Sequence, residues 1–247
     1  MKLSDHVFLV ASGELGCALS HRSDCNAYAL RAASGRWLLF DTGCGRASER
    51  VLEELERDGL RASECAAILV SHGHLDHSGG AAHLSHSLDA PVWAGAQTAS
   101  WLEAGDEEAI GLAEAKRGGI YHESFVFQAC AVSRVLSDGE TFVLDELRCE
   151  WIAAPGHAPD LGVLRVQNGS RTFLFSSDLV FHGGKVLASA TRDCCPADLA
   201  ASLRGPATQG VDALFPGHGL WVLNGAHRHI EAAWSFLERT LLPPNLL

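Results

Sequence analysis

The sequence is short of several things, and each shortage removes a class of function. No uninterrupted apolar run approaches the about 20 residues that a membrane helix needs, so no membrane partner is expected. The N-terminus, Met1-Lys2-Leu3-Ser4-Asp5-His6, has no signal-peptide pattern, and Val7 to Ala11 is too short for an apolar export core plus cleavage site. A cytoplasmic location is therefore expected. Positive charge is scarce: 19 Lys and Arg stand against 30 Asp and Glu, a net charge of −11. Arg22, Arg31, Arg36 and Lys116-Arg117 are scattered, so the basic face that nucleic-acid binding requires is missing. Among eight cysteines there is no Cys-x-x-Cys pair, and the adjacent Cys194-Cys195 has poor geometry for chelating one metal. Reduced, mostly packed thiols are expected in a chain without an export signal. No Pro/Gly/Ser-rich linker and no internal repeat divides the 247 residues, and an apolar share of 47% suffices for a core, so residues 1–247 read as one domain.

What is present is a succession of short strand and helix patterns. Val7–Ala11, Ala27–Ala32 and Trp37–Phe40 read as a strand meander with Ser34-Gly35 as a turn. Ser48 to Asp58 has helical spacing, with Val51, Leu52 and Leu55 on one face, glutamates on the other and Gly59 as the stop. Ile68–Val70 is a strand, Gly79 to Leu88 a helix and Pro91–Ala94 a further strand. Thr98 to Arg117 reads as one helical stretch. Phe125–Phe127, Val132–Leu136, Thr141–Leu144 and Leu147–Ala153 read as strands. Gly162–Val166 and Thr172–Phe175 form a hairpin about Asn168-Gly169. Pro196–Leu203 is helical, Ala213–Phe215 a strand and Ile230–Leu241 the last helix. Two halves, each running strands then helix, point to an α/β protein: an αββα sandwich of two mixed sheets face to face with helices outside.

The chemistry concentrates in Ser71-His72-Gly73-His74-Leu75-Asp76-His77-Ser78-Gly79-Gly80. His72, His74, Asp76 and His77 place four metal-ligand types within six residues, directly after an apolar strand. Imidazole nitrogen and carboxylate oxygen suit zinc and other first-row metals, and a strand end is where α/β folds gather their chemistry. A lone histidine on a loop is ordinarily just solvated; three with an aspartate at this spacing are not a chance cluster.

This run resembles the His-x-His-x-Asp-His signature of the metallo-β-lactamase superfamily. Further motifs follow in that family's order: Pro155-Gly156-His157, Ser176-Ser177-Asp178 after Thr172–Phe175, and Pro216-Gly217-His218 after Ala213–Phe215. Upstream, Asp41-Thr42-Gly43 and the Asn26, Tyr28, Leu30 strand also match. The resemblance implies a metallo-β-lactamase fold and two divalent ions, zinc first, with iron or manganese as alternatives. It implies that His72, His74 and His157 hold one ion, that Asp76, His77 and His218 hold the other, and that Asp178 bridges them. It implies a hydrolase that uses a metal-bridging hydroxide on a small ester, lactone, thioester or amide substrate. Asp76 is the candidate catalytic residue, as a ligand that also moves a proton. Asp41 reads as a turn brace or as a partner behind a ligand histidine.

Other residues depart from the pattern or stand outside it. Ala158-Pro159-Asp160 replaces the family's usual Thr-Pro-Gly, with Asp160 read as a turn cap. Gly156 and Gly217 are expected to take backbone angles that other residues avoid. Cys44 reads as a small packed residue near the site. Trp93, Trp101, Tyr121 and Trp221 are core or pocket wall, while His182 and His229 are ordinary polar residues or neighbours of the site. The runner-up reading is an iron-dependent oxidoreductase on the same fold, of the persulfide dioxygenase kind. A nuclease is disfavoured by the acidic balance.

Overall fold

Most of the apolar runs become strands that are buried along most of their length, Val7–Ala11, Ala27–Arg31, Trp37–Phe40, Cys65–Val70, Arg171–Ser177 and Ala213–Pro216 above all. The computed structural model describes residues 1–188 and 191–247. They form two compact units: Met1–Arg31 with Gly35–Leu136, and Ala32–Ser34 with Ser137–Leu247. Among the described residues no helix is long and apolar enough to cross a membrane.

The first unit carries a six-stranded mixed sheet in the order β1 (Val7–Ala11), β2 (Ala27–Arg31), β3 (Trp37–Phe40), β4 (Cys65–Val70), β5 (Val92–Gly95) and β6 (Arg134–Leu136). β1, β2 and β3 run antiparallel, whereas β3 through β6 run parallel. Every residue of β1 and β3 is buried, which is why these strands read as continuous apolar runs rather than as alternation. The parallel crossovers are helical: α1 (Ser48–Arg57), then α2 (Leu75–Ser78) and α3 (Ala81–Leu88), then α4 (Ala96–Ala104) and α5 (Leu112–Arg117). Val51 and Leu55 of α1 and Leu84 and Leu88 of α3 join the core with Trp37, Leu39, Ile68 and Val70. One glutamate of α1 departs from the expected solvent face. Glu54 is fully buried, with its Oε1 2.7 Å from both Arg50 and Arg57.

The second unit carries a five-stranded sheet in the order β11, β10, β9, β8, β7. Its strands are β7 (Glu140–Leu144), β8 (Leu147–Ala153), β9 (Gly162–Asn168), β10 (Arg171–Ser177) and β11 (Ala213–Pro216). All neighbours are antiparallel except β10 and β11, so this sheet too is mixed. The expected β9–β10 hairpin is present, with Asn168 paired to Arg171 and the turn at Gly169-Ser170, one residue later than the sequence indicates. The helices α6 (Pro196–Arg204) and α7 (His227–Glu238) supply Leu199, Leu203, Ile230 and Ala233 to the core.

Three sequence expectations are corrected. The single helix over Thr98 to Arg117 is two, because Gly105 (φ +63°) and Gly111 (φ +75°) take left-handed conformations between α4 and α5. Phe125–Phe127 alternates in burial but is not a strand; the Phe127 N–H donates to the Glu107 carboxylate at 2.9 Å instead of to a neighbouring strand. The last helix begins at His227 and ends at Glu238, three residues earlier than the apolar pattern suggested at either end.

Candidate metal centre

In the first unit the site grows from the ends of two parallel neighbours. β3 stops at Phe40 and β4 at Val70, and Asp41 follows β3 at φ +63°. That left-handed residue is uncommon outside glycine, asparagine and aspartate. Its backbone N–H donates to Leu69 at 2.9 Å, and its fully buried carboxylate reaches across to the residue after β4. Ser71 donates to it twice, from N at 2.8 Å and from Oγ at 2.9 Å. His77 Nδ1 donates to Asp41 Oδ2 at 2.9 Å.

These bonds fix protons. An ionised carboxylate only accepts, so Ser71 spends its one hydroxyl proton on Asp41. The Ser71 oxygen then accepts from His72 Nδ1, 2.9 Å away. Both His72 and His77 therefore carry their proton on Nδ1 and offer Nε2 as the lone-pair nitrogen. A carboxylate behind a ligand histidine orients the ring and raises its basicity. Asp41 does so directly for His77 and through Ser71 for His72.

The rings are gathered tightly. His72 and His77 are fully buried, and their centroids lie 4.2 Å apart; His72 and His74 are 4.6 Å apart. His77 Nε2 is 3.5 Å from Asp76 Oδ2. The loop is seated by Gly73, where a Cβ would meet the Trp101 ring at 3.0 Å and Ile110 at 3.1 Å. Thr42 holds the far side, donating from N at 2.8 Å and from Oγ1 at 2.7 Å to the His77 carbonyl.

In the second unit the parallel pair β10 and β11 ends side by side. Ser177, the last residue of β10, has φ +44°, and its carbonyl accepts the Gly217 N–H at 2.8 Å, so Asp178 and His218 leave the sheet together. His157 follows β8. Asp178 Oδ2 lies 3.4 Å from His157 Nε2 and 3.5 Å from His218 Nε2. One carboxylate oxygen is thus shared by two imidazoles, all three side chains being nearly fully buried. His157 Nδ1 donates to the Leu187 carbonyl at 2.9 Å, which again presents Nε2.

The turn carrying His157 needs glycine. Gly156 has φ +142°, and a Cβ there would come within 2.2 Å of Leu199 N at the start of α6. Gly156→Ala is expected to lower stability by at least about 1–3 kcal/mol, the cost of a backbone region that only glycine occupies freely. A shift of the urea midpoint at unchanged slope measures this, and an unshifted midpoint would contradict it. Gly217 does not share the property expected of it: the positive φ falls two residues later, at Gly219 (+73°).

Several roles were not legible in the sequence. Ser71 is the link between Asp41 and His72. Burial pushes the Tyr121 hydroxyl well above the usual phenol range, and the nearby Asp76 carboxylate raises it further. Tyr121 also lines a hollow of about 600 Å³ with His21, Ser23, Ile120, His122 and Phe125. Cys25 lies beside His77 and Asp41, and burial pushes its thiol up to about 12. Cys44 is packed as expected; its Sγ is 3.4 Å from His21 Nδ1, and burial followed by the Asp24 carboxylate raises its thiol further. His182 and His229 pair with each other, their centroids 4.4 Å apart, and the Gly183 N–H donates to His229 Nδ1 at 2.7 Å.

The donor chemistry of each unit fits a divalent cation of the zinc type. Imidazoles with their outer nitrogens already engaged, beside carboxylates in buried positions, are what such ions take. The family model of the metallo-β-lactamase superfamily matches residues 22–225, most of the chain.

The chain belongs to the metallo-β-lactamase superfamily.

A probable metallo-hydrolase of Bacillus subtilis is 25% identical over 129 residues, 50% of this chain and 48% of that protein. A hydroxyacylglutathione hydrolase of Haemophilus influenzae is 27% identical over 141 residues, 57% and 60% of the two chains. The matched region thus spans about half the length of these curated relatives. Among solved structures, a metallo-β-lactamase of Cronobacter sakazakii with a HARLDQ motif aligns with a TM-score of 0.72 at 19% identity, covering 97% of this chain and 96% of that one. A subclass B3 metallo-β-lactamase of Bradyrhizobium japonicum aligns at 0.70 and 20%, covering 97% and 91%. At such identity the likeness establishes the fold: two mixed sheets with helices, as expected from the sequence.

Proposed function

We propose that this superfamily member is a dinuclear metallohydrolase that cleaves a small ester, lactone, thioester or amide. In this reading the chain works as a single domain, with His72, His74 and His157 binding one ion, Asp76, His77 and His218 the other, and Asp178 shared. The observation that carries it is the Asp178 oxygen held 3.4–3.5 Å from two imidazole Nε2 atoms, as a carboxylate common to two cations would be. The common tautomer of His72, His77 and His157 supports it. Two bound ions would supply Lewis acidity to the substrate oxygen and acidify the attacking water.

The protein's own part is positioning and proton transfer. Asp41, Ser71 and the Leu187 carbonyl hold the imidazoles in one orientation before any ligand arrives. Asp76 accepts the proton of the attacking water and returns it to the leaving group. Tyr121, buried beside that carboxylate, walls the site on that side. The neighbouring hollow has room for a small organic substrate, with Ile120, Tyr121 and Phe125 for an apolar portion. A small-molecule substrate in the cytoplasm, with neither nucleic acid nor membrane as partner, belongs to the same reading.

Metal content per chain, measured on protein purified without chelator, tests the reading together with a panel of lactones, thioesters, β-lactams and phosphodiesters. Acyl-glutathione thioesters belong in the panel because of the likeness to a hydroxyacylglutathione hydrolase. About two zinc-type ions and hydrolysis of one ester, lactone, thioester or amide class are expected. About one iron, no hydrolysis, and oxygen uptake with a persulfide would replace the hydrolase by the oxidoreductase.

A further inference from the structure

Cys194 and Cys195 belong to neither half of the donor set. Both are half-buried thiols. The peptide that joins them has a specific duty: the Cys195 N–H donates to the Gly156 carbonyl at 2.7 Å. That carbonyl is part of the peptide between Gly156 and His157. The Cys195 carbonyl in turn accepts Leu199 N at 3.0 Å and opens α6, the helix against whose first turn Gly156 is pressed. Ser202 Oγ of the same helix donates to the Pro155 carbonyl at 2.7 Å. The Pro155-Gly156-His157 turn therefore rests on the start of α6, and the Cys194-Cys195 peptide is one of its fastenings.

We propose that Cys194 and Cys195 form a vicinal dithiol that a low-molecular-weight disulfide oxidises to an internal disulfide, and that this oxidation loosens the His157 turn. One cysteine thiolate attacks a sulfur of the small disulfide, forming a mixed disulfide and releasing the first small thiolate. The second cysteine, deprotonated, attacks the protein sulfur of that mixed disulfide and releases the second small thiolate. Two cysteine thiols have lost two electrons and two protons; one disulfide has become two thiols.

Geometry couples this chemistry to the turn. Consecutive Cα atoms across a trans peptide are about 3.8 Å apart. Ordinary disulfides span about 4.4–6.8 Å between Cα atoms, so a bridge between neighbours is strained. The strain falls on the joining peptide, whose N–H is the one bonded to Gly156. Strained disulfides are also the readily reduced ones, so the change is reversible by thiols.

The test reads thiols rather than turnover, so its failure is separate from a failure of the hydrolase reading. Trypsin cleaves after Arg192 and Arg204, and the peptide between them holds Cys194 and Cys195 as its sole cysteines. The folded full chain is incubated with oxidised glutathione, alkylated and digested. The wild-type peptide is expected to lose two hydrogens, take no alkyl group and recover two alkylation sites after dithiothreitol. Cys194→Ser and Cys195→Ser should each give a single glutathione adduct instead. In the oxidised chain, amide exchange at Cys195 and over residues 156–158 should rise roughly two- to tenfold, the worth of one backbone hydrogen bond. Two glutathione adducts or two alkyl groups on the wild-type peptide would overturn the dithiol. A bridge that leaves the exchange unchanged would overturn its link to His157.

Discussion

Replacing His157 by alanine is expected to reduce bound metal to one ion per chain or fewer and to cut turnover by at least about 10³-fold. The size follows from what a correctly held cation contributes, several kcal/mol at the transition state, with each about 1.4 kcal/mol worth a factor of ten. The fold should survive. The substitution leaves the Leu187 carbonyl without its imidazole donor, a loss of about 0.5–1.5 kcal/mol, and the metal-free unfolding midpoint should move little. The informative comparison is His182→Ala, which removes an exposed imidazole paired with His229 and should leave metal content and rate unchanged. If His157→Ala kept two ions and wild-type turnover, the assignment of the second unit's donors would be wrong.

Asp41 gives the second large effect, and here stability and metal affinity can be separated. In Asp41→Ala three buried donors, Ser71 N, Ser71 Oγ and His77 Nδ1, lose their acceptor at once. Each orphaned donor costs about 1–3 kcal/mol. The left-handed backbone at φ +63° adds about 1–2 kcal/mol for alanine. Against a typical margin of about 5–15 kcal/mol this variant is expected to be mostly unfolded or far less stable. Asp41→Asn keeps one acceptor oxygen and tolerates the backbone, so it should fold. It lacks the negative charge behind His77, and its metal affinity should fall about 10–100-fold. Urea midpoints and a chelator competition for zinc measure the two quantities. Wild-type affinity in Asp41→Asn would remove Asp41 from the site, and wild-type stability in Asp41→Ala would remove it from the framework.

The two residues differ in how far they could be read. His157 is legible because Pro155-Gly156-His157 is a local motif after a strand, whereas the close approach of Leu199 that demands Gly156 comes from the tertiary fold. Asp41 is recognisable as a turn residue, but its reach to Ser71 is not. That reach depends on β3 and β4 lying in parallel register, with Phe40 beside Leu69. Tyr121 is further out of reach, since nothing near it in the chain indicates Asp76, 45 residues earlier.

Helical pattern misled for a related reason. Thr98 to Arg117 has helix-forming composition throughout, yet Gly105 and Gly111 interrupt it and the intervening turn supplies Glu107 to Phe127 N. Glycine left the choice open, and tertiary hydrogen bonding took the broken form.

The sequence by itself determined the donor types and their positions at strand ends, because apolar runs, glycine turns and ligand spacings are short-range properties. The superfamily resemblance and the proposed ligands His72, His74, Asp76, His77, His157, Asp178 and His218 were all legible at that level. Only the tertiary structure decided which nitrogen of His72, His77 and His157 carries the proton. That depends on buried acceptors at Asp41, Ser71 and Leu187, brought into hydrogen-bond reach by sheet register and loop packing rather than by sequence spacing alone.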